Sequence, residues 1–433
     1  MNFLRLPHAL AVSLAWLAFC VVLYYLVPRR SFATQRRPVV LAGLVVAIAF
    51  VVRLIPAVAL PVGASYDIDS FRLVAETFLR GEGVYSSSSV AGRHPYLPFQ
   101  VYLIGAAMWV SQKTGLPFIF AIKGVPILAD LALTALIFYV ILRSGKSARD
   151  AFVRSLLYAL NPVSVLVSAY HGQFDAVPAL LLALSWCFWR FDNATTRGLL
   201  LSALALGFAV LDKTWPALFL PIVLLRLRSV RKSITYGLVT VAVPMLFTGL
   251  YIVVFREDPA PLLGRALTHA GVPGWWGTGD VVSLVKTATG WGEPILNWLE
   301  HCSRWLVFTA VGLSYWITRR QNSLEALVTA LLALYVSTVG FGLQWVLWVV
   351  PFALLAGDLR ATIQAMNWYV LGSLIYLLPW YYGYHLDDTL ANLISFERMA
   401  LLMQVCAIPA WAIDLVWIVR RFAAARHADT SPI

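Results

Sequence analysis

Apolar runs long enough to cross a bilayer recur along the chain, and no other feature limits its fold as strongly. Leu10–Val27, Val39–Leu60, Ile234–Phe255 and Leu401–Val419 are examples, and a transmembrane helix needs about 20 predominantly apolar residues. Only 12% of the 433 residues are charged and 60% are hydrophobic, whereas soluble domains carry roughly a quarter charged residues. The chain therefore reads as an all-α polytopic membrane protein. One helical bundle absorbs residues 1–433 as a single transmembrane domain.

The net charge of +12 does not point to nucleic acid. The basic residues fall in short clusters between apolar runs: Arg29, Arg30, Arg36 and Arg37; Arg143, Lys146, Arg149 and Arg154; Arg226, Arg228, Arg231 and Lys232; Arg319 and Arg320; Arg420, Arg421 and Arg426. Such clusters mark cytoplasmic loops. The four cysteines are scattered and indicate neither a disulfide framework nor a metal site. The first apolar run has no clear small-residue cleavage site and reads as a retained helix.

With the basic clusters placed inside, the segments 38–60, 155–170, 198–212 and 324–340 all run outward. They deliver "YDIDSFR" (66–72), "HGQFD" (171–175), "LDKTWP" (211–216) and "GFGLQW" (340–345) to one extracytoplasmic face. A Trp-rich loop at 256–303 and a loop at 380–397 complete that face. Leu97–Val110 fits this alternation only as an interfacial or re-entrant piece, with 117–142 making the crossing. The walk gives about 13 spans with the C-terminus inside.

Asp67 and Asp69 stand at a dry membrane boundary, where a carboxylate is costly and functional by default. Such a group can take a proton from a hydroxyl as a general base. Residues two apart on a helix do not share a face, but an extended conformation, a turn or a helix start aims both into one cavity. A helix cap accounts for one of them, not for the pair. Arg72 follows within the same motif. In "AGRHPYLPFQ" (91–100), Arg93 and His94 suit a phosphate or a sugar hydroxyl, or simply a solvated loop. His171, Gln173 and Asp175 lie where Asn161-Pro162 and Pro178 break the helices, and polar groups at such breaks face a cavity or cap loose backbone. Lys123 and Lys213 suit an anionic phosphate, with snorkelling as the plain alternative. Asp130, two turns after Lys123, is a candidate to neutralise it and reads as structural. Gln344 and Trp345 offer either an aromatic shelf for a sugar or isoprenoid, or aromatic-belt residues. His385, Asp387 and Asp388 are candidates by location alone.

These motifs resemble those of the GT-C membrane glycosyltransferases. "DIDSFR" (67–72) is similar to the D-x-[D/E]-x-x-R element of their first lumenal loop. "HGQFDAVPALLLALS" is similar to their helix-junction motif, and "LQWVLWVVPF" to a Q-[YFW]-x-x-W-x-x-P element. "IKGVPILADLAL" and "LDKTWP" resemble segments of bacterial members, including the polyprenol-phosphate mannosyltransferases of glycosyltransferase family 87. The resemblance covers roughly residues 38–355. Residues 1–37 add a span and a cytoplasmic loop before it, and 356–433 match no named element and are a candidate acceptor region.

The resemblance implies a GT-C fold whose extracytoplasmic first loop carries the catalytic acids. It implies an inverting transfer of a hexose, mannose favoured, from a polyprenyl-phosphate-sugar donor to a glycolipid or lipid-linked glycan, within the plasma membrane. It makes Asp67 the base, with Asp69 supporting it or binding acceptor. Lys123, Lys213 and Arg93 would meet the leaving phosphate. Arg72, His94, His171, Gln173, Asp175, Gln344, Trp345 and His385 would line the substrate path. No metal, cofactor or nucleic acid is implied. A flippase would instead favour charges at the membrane midplane and an inverted repeat, and a glycan polymerase or ligase would favour arginine-rich outer loops.

Overall fold

The computed structural model describes residues 6–29, 37–59, 65–90, 92–192, 195–268, 276–382 and 396–430. Every element among them is helical. Contacts group the chain into two compact units: Phe32–Leu160 with Ser164–His269, and Leu6–Ser31 with Asn161–Val163 and Ala270–Ile433.

The first unit holds α2 (Pro38–Ala59), α3 (Ser65–Leu79), α4 (Phe99–Thr114), α5 (Phe118–Arg143), α6 (Ala148–Ala159), α8 (Ala176–Asp192), α9 (Thr196–Asp212), α10 (Phe219–Leu224), α11 (Val230–Phe255) and α12 (Pro259–Thr268). The short α7 (Pro162–Val165) runs into a π-helical turn, Leu166–His171. Hydroxyls start several of these helices by accepting a bond from an otherwise orphaned backbone N–H: Ser147 from Asp150, Thr195 from Gly198 and Ser229 from Lys232. One apolar core joins α3, α4 and α5 through Ile68, Phe71, Val74, Ile104 and Ile122. Elsewhere α8 packs on α9, α9 on α11, and α5 on α2, α6 and α8.

Pro162 has no N–H, so the helix breaks there and the two segments meet at 46°. The loosened Ala159 carbonyl is taken up by Arg53 Nη1 at 2.8 Å. Arg53 also donates through Nε to Asp130 Oδ2 at 2.8 Å and through Nη2 to Ser164 Oγ at 2.6 Å. Tyr158 donates to Asp130 Oδ1 at 2.5 Å. Asp130 thus takes Arg53, not Lys123, as its cation. The sequence pairing fails because Arg53, 77 residues away, reaches the carboxylate with a fork that bonds three further groups.

The second unit holds α1 (Leu6–Leu26), α13 (Thr278–Thr289), α14 (Glu293–Ile317), α15 (Ser323–Ser337), α16 (Val350–Ala356), α17 (Leu359–Tyr382) and α18 (Phe396–Thr430). The first helix of the chain packs on α17, and α18 packs on α15 and α17. Trp276 is buried against Tyr369, ring centroids 5.0 Å apart.

Among the described residues five helices are long and apolar enough to cross a membrane, or six if the bent pair at 148–171 is one span. The expected crossings at 198–212 and 324–340 are helices of 17 and 15 residues, below full span length. The count of about 13 is therefore not reached by length and apolarity. The expected loop at 256–303 contains α12, α13 and the start of α14.

Candidate active site

Asp67 lies in the first turn of α3. Its Oδ2 meets His171 Nε2 at 2.5 Å and accepts from Gln173 Nε2 at 2.9 Å. The described residues give no hydrogen bond to Oδ1, and the side chain is 28% exposed against 6% for His171. Burial pushes this carboxyl up, but the His171 hydrogen bond and charge, the Gln173 amide and the Lys213 charge outweigh it, and the pKa falls below the ordinary aspartate value. Asp67 is thus an anion near neutrality. An ionised carboxylate only accepts, so His171 Nε2 carries the proton between them.

Local chain geometry brings His171 and Gln173 here. The π-helical turn ends at Gly172, whose φ of 84° is left-handed, a conformation that glycine adopts without steric cost. A Cβ on Gly172 would stand 3.1 Å from Ile68 Cδ1 and 3.4 Å from Lys123 Cγ. Gly172 and Gln173 both donate to the Val167 carbonyl at 3.0 Å. Single π turns inside helices are rare and often mark functional sites.

A second group stands beside this one. Lys213 donates to Asp175 Oδ1 at 2.8 Å, with side chains 4% and 0% exposed. Its ammonium lies 4.8 Å from the Tyr96 ring centroid, a cation–π contact. Burial opposes the Lys213 charge, but Asp175, Tyr96 and Asp212 hold its pKa above the ordinary lysine value. Asp212 is itself fully buried.

The loop between α3 and α4 is clamped in place. Glu257 accepts from the backbone N–H groups of Tyr85 and Ser86, each at 2.8 Å, and from the Ser86 hydroxyl. Tyr251 accepts from Val84 N at 3.0 Å, and Tyr85 donates to the Tyr96 carbonyl at 2.6 Å. Arg93 then lies over the Tyr66 ring at 4.8 Å, next in sequence to Asp67.

The sequence candidates therefore divide. Asp67, His171 and Gln173 meet; Asp175 and Lys213 meet; Lys123 is buried against Gly172. Because α3 is a regular helix, Asp69 and Arg72 point outward and are exposed. His94 is buried between Tyr85 and Tyr96, and burial pushes its pKa down to about 3, so it carries no positive charge for a phosphate. Gln344 and Trp345 belong to the second unit, on the 3₁₀ turn Leu343–Trp348. There Trp345 stacks on Trp348 at 4.4 Å. His385, Asp387 and Asp388 lie outside the described residues. Sequence reading did not single out Tyr96, Asp212, Tyr251 or Glu257. Asp212 was signalled by its place beside Lys213, whereas Glu257 gave no local sign of its bonds to a loop 171 residues earlier.

Several helices long and apolar enough to cross a membrane, with ionic groups gathered at helix breaks and ends, mark a multi-pass membrane protein. The sequence matches glycosyltransferase family 87 over residues 101–342. That is more than half of the chain, which belongs to this family and is a membrane glycosyltransferase. Among curated proteins none matches. The matched stretch contains Lys123, His171, Gln173, Asp175 and Lys213; Asp67 and Arg93 precede it, and Gln344 and Trp345 follow it.

Proposed function

We propose that the protein transfers a hexose, mannose favoured, from a polyprenyl-phosphate donor to a lipid or lipid-linked glycan acceptor on the extracytoplasmic face, with inversion and with Asp67 as the base. One observation carries this reading: an ionised carboxylate with one oxygen tied down and the other open. In the proposed step the acceptor hydroxyl oxygen bonds to the anomeric carbon from the face opposite the phosphate. Its proton passes to Asp67 Oδ1. The bond from the anomeric carbon to the phosphate oxygen breaks, and its electron pair leaves on that oxygen. Arg93, Lys123 and Lys213 are the cations assigned to the charge that develops there, where fixed charges are most effective. His171 and Gln173 hold Asp67, and Asp69 and Arg72, on the outer face of α3, are assigned to the acceptor or its headgroup. Gln344 and Trp345 are assigned to the isoprenoid or sugar face of a substrate.

The test uses purified full-length protein, a panel of synthetic polyprenyl-phosphate hexoses and a membrane-lipid acceptor extract. The anomeric configuration of the product is read by NMR. Transfer from a mannosyl donor with inverted configuration is expected. Retained configuration, or transfer only from nucleotide sugars, would overturn the reading.

A further inference from the structure

In the second unit three helix ends meet around a cavity of about 730 Å³: the start of α15, the start of α17 and the last turns of α18. Arg320, Arg360, Arg420 and Arg421 line it, against the carboxylates of Glu325 and Asp358. Arg421 is 9% exposed. It donates through Nη2 to Asp358 and through Nη1 to the Glu325 carbonyl at 3.4 Å, yet its buried Nε has no partner. Trp417, 5% exposed, lines the same cavity with an indole N–H that also lacks a partner. Both of those atoms are shielded from solvent, so a ligand of this cavity meets the exposed guanidinium groups of its rim. The excess of guanidinium groups makes that ligand an anion.

A second groove of about 390 Å³ runs on from this cavity between α17 and α18 and shares Trp417 and Arg420 with it. Trp368, Ile413 and Val416 line it beside Gln364 and Asn367, and Val416 is 49% exposed. A charged pocket that opens into a groove walled by both apolar and amide side chains matches a molecule with an anionic head and hydrocarbon chains. Free phosphate would fill only the charged end. The basic clusters at 319–320 and 420–426 are those the charge pattern assigns to the cytoplasmic side, where the bilayer surface is rich in anionic lipid.

We propose that this cavity and groove bind an anionic glycerophospholipid, phosphodiester in the arginine pocket and acyl chains along α17 and α18. The site is independent of the transfer reaction. Arg360 and Arg420, both exposed, are the groups that meet the phosphodiester.

Native mass spectrometry of the full-length protein in neutral detergent tests this. Phosphatidylglycerol, phosphatidylcholine, a polyprenyl phosphate and inorganic phosphate are the probes, and melting temperature is read in parallel. Wild type is expected to retain phosphatidylglycerol about tenfold or more tightly than phosphatidylcholine. The R360A/R420A variant should lose that preference and the lipid-induced rise in melting temperature, while melting as wild type without lipid. Equal phosphatidylglycerol retention by the two proteins would overturn the proposal. So would stabilisation by inorganic phosphate equal to that by the lipid, or preferential displacement of phosphatidylglycerol by polyprenyl phosphate.

Discussion

Two aspartates of the first unit have opposite surroundings. Asp130 is fully buried, and both of its oxygens are engaged, by Arg53, Tyr158 and Ser164. Asp67 is 28% exposed and has both of its contacts on one oxygen. A buried charge is tolerated when its cation and its remaining hydrogen bonds are supplied by the protein. The Asp130 cluster meets that condition and has no free valence for a ligand. The Asp67 cluster stops one oxygen short of it. In a membrane protein the acid that is incompletely satisfied is the better candidate for chemistry, and the satisfied one is a fastening.

The first way to break this contrast is Arg53→Met. It leaves Asp130 as an uncompensated buried charge, at a cost of about 3–5 kcal/mol, and frees the Ala159 carbonyl at the helix break. Folded yield and melting temperature should collapse. The double variant Arg53→Met/Asp130→Asn should recover much of both, since a fastening can be replaced when both of its charges are removed. Recovery of transfer with the fold would mark the cluster as structural.

Lys213 sharpens the contrast, because it pairs with Asp175 yet borders the open site. Lys213→Met should lower stability by removing the buried cation that donates to Asp175. Lys213→Met/Asp175→Asn should melt nearer to wild type but transfer about 10²-fold more slowly. Full recovery of rate would place Lys213 with the fastenings.

His171→Phe removes the strongest support of the low Asp67 pKa. In wild type that pKa lies below the free aspartate value of about 3.9. The contacts of the Asp67 anion therefore stabilise the fold above that value, and their contribution is lost as pH falls through the depressed pKa. The same ionisation should set the acid limb of kcat/KM in the acid range. In His171→Phe the limb should move to higher pH and the rate should fall about tenfold. An unmoved limb would separate Asp67 from the pH profile.

The smallest effect is expected for Asp69→Asn. An exposed residue on the opposite side of α3 should change KM more than kcat, with kcat kept to within about threefold. Steady-state kinetics with varied acceptor reads this directly.

The long spans are legible in the sequence because apolar run length has one cause. The ends of α2, α5 and α11 fall close to their apolar runs. The helix break at 161–175 is also legible, since proline and clustered polar residues announce it. The geometry inside the break is not, because a π turn and a left-handed Gly172 depend on what packs against them. Long-range partners are equally hidden. Nothing near Asp130 points to Arg53, nothing near Ser86 points to Glu257, and nothing in the first helix marks its packing on α17. Asp67 and Asp69 look alike in "YDIDSFR"; only the helix, which turns them to different faces, separates the acid at the ionic site from the exposed one.

The most direct test of the open-carboxylate assignment is the single-turnover rate of Asp67→Asn at saturating donor, measured beside donor affinity and melting temperature. Expected is a rate loss of about 10²–10⁴-fold, with donor affinity and melting temperature close to wild type. A rate within a few-fold of wild type, in a folded variant that binds donor, would contradict the assignment of Asp67 as the base.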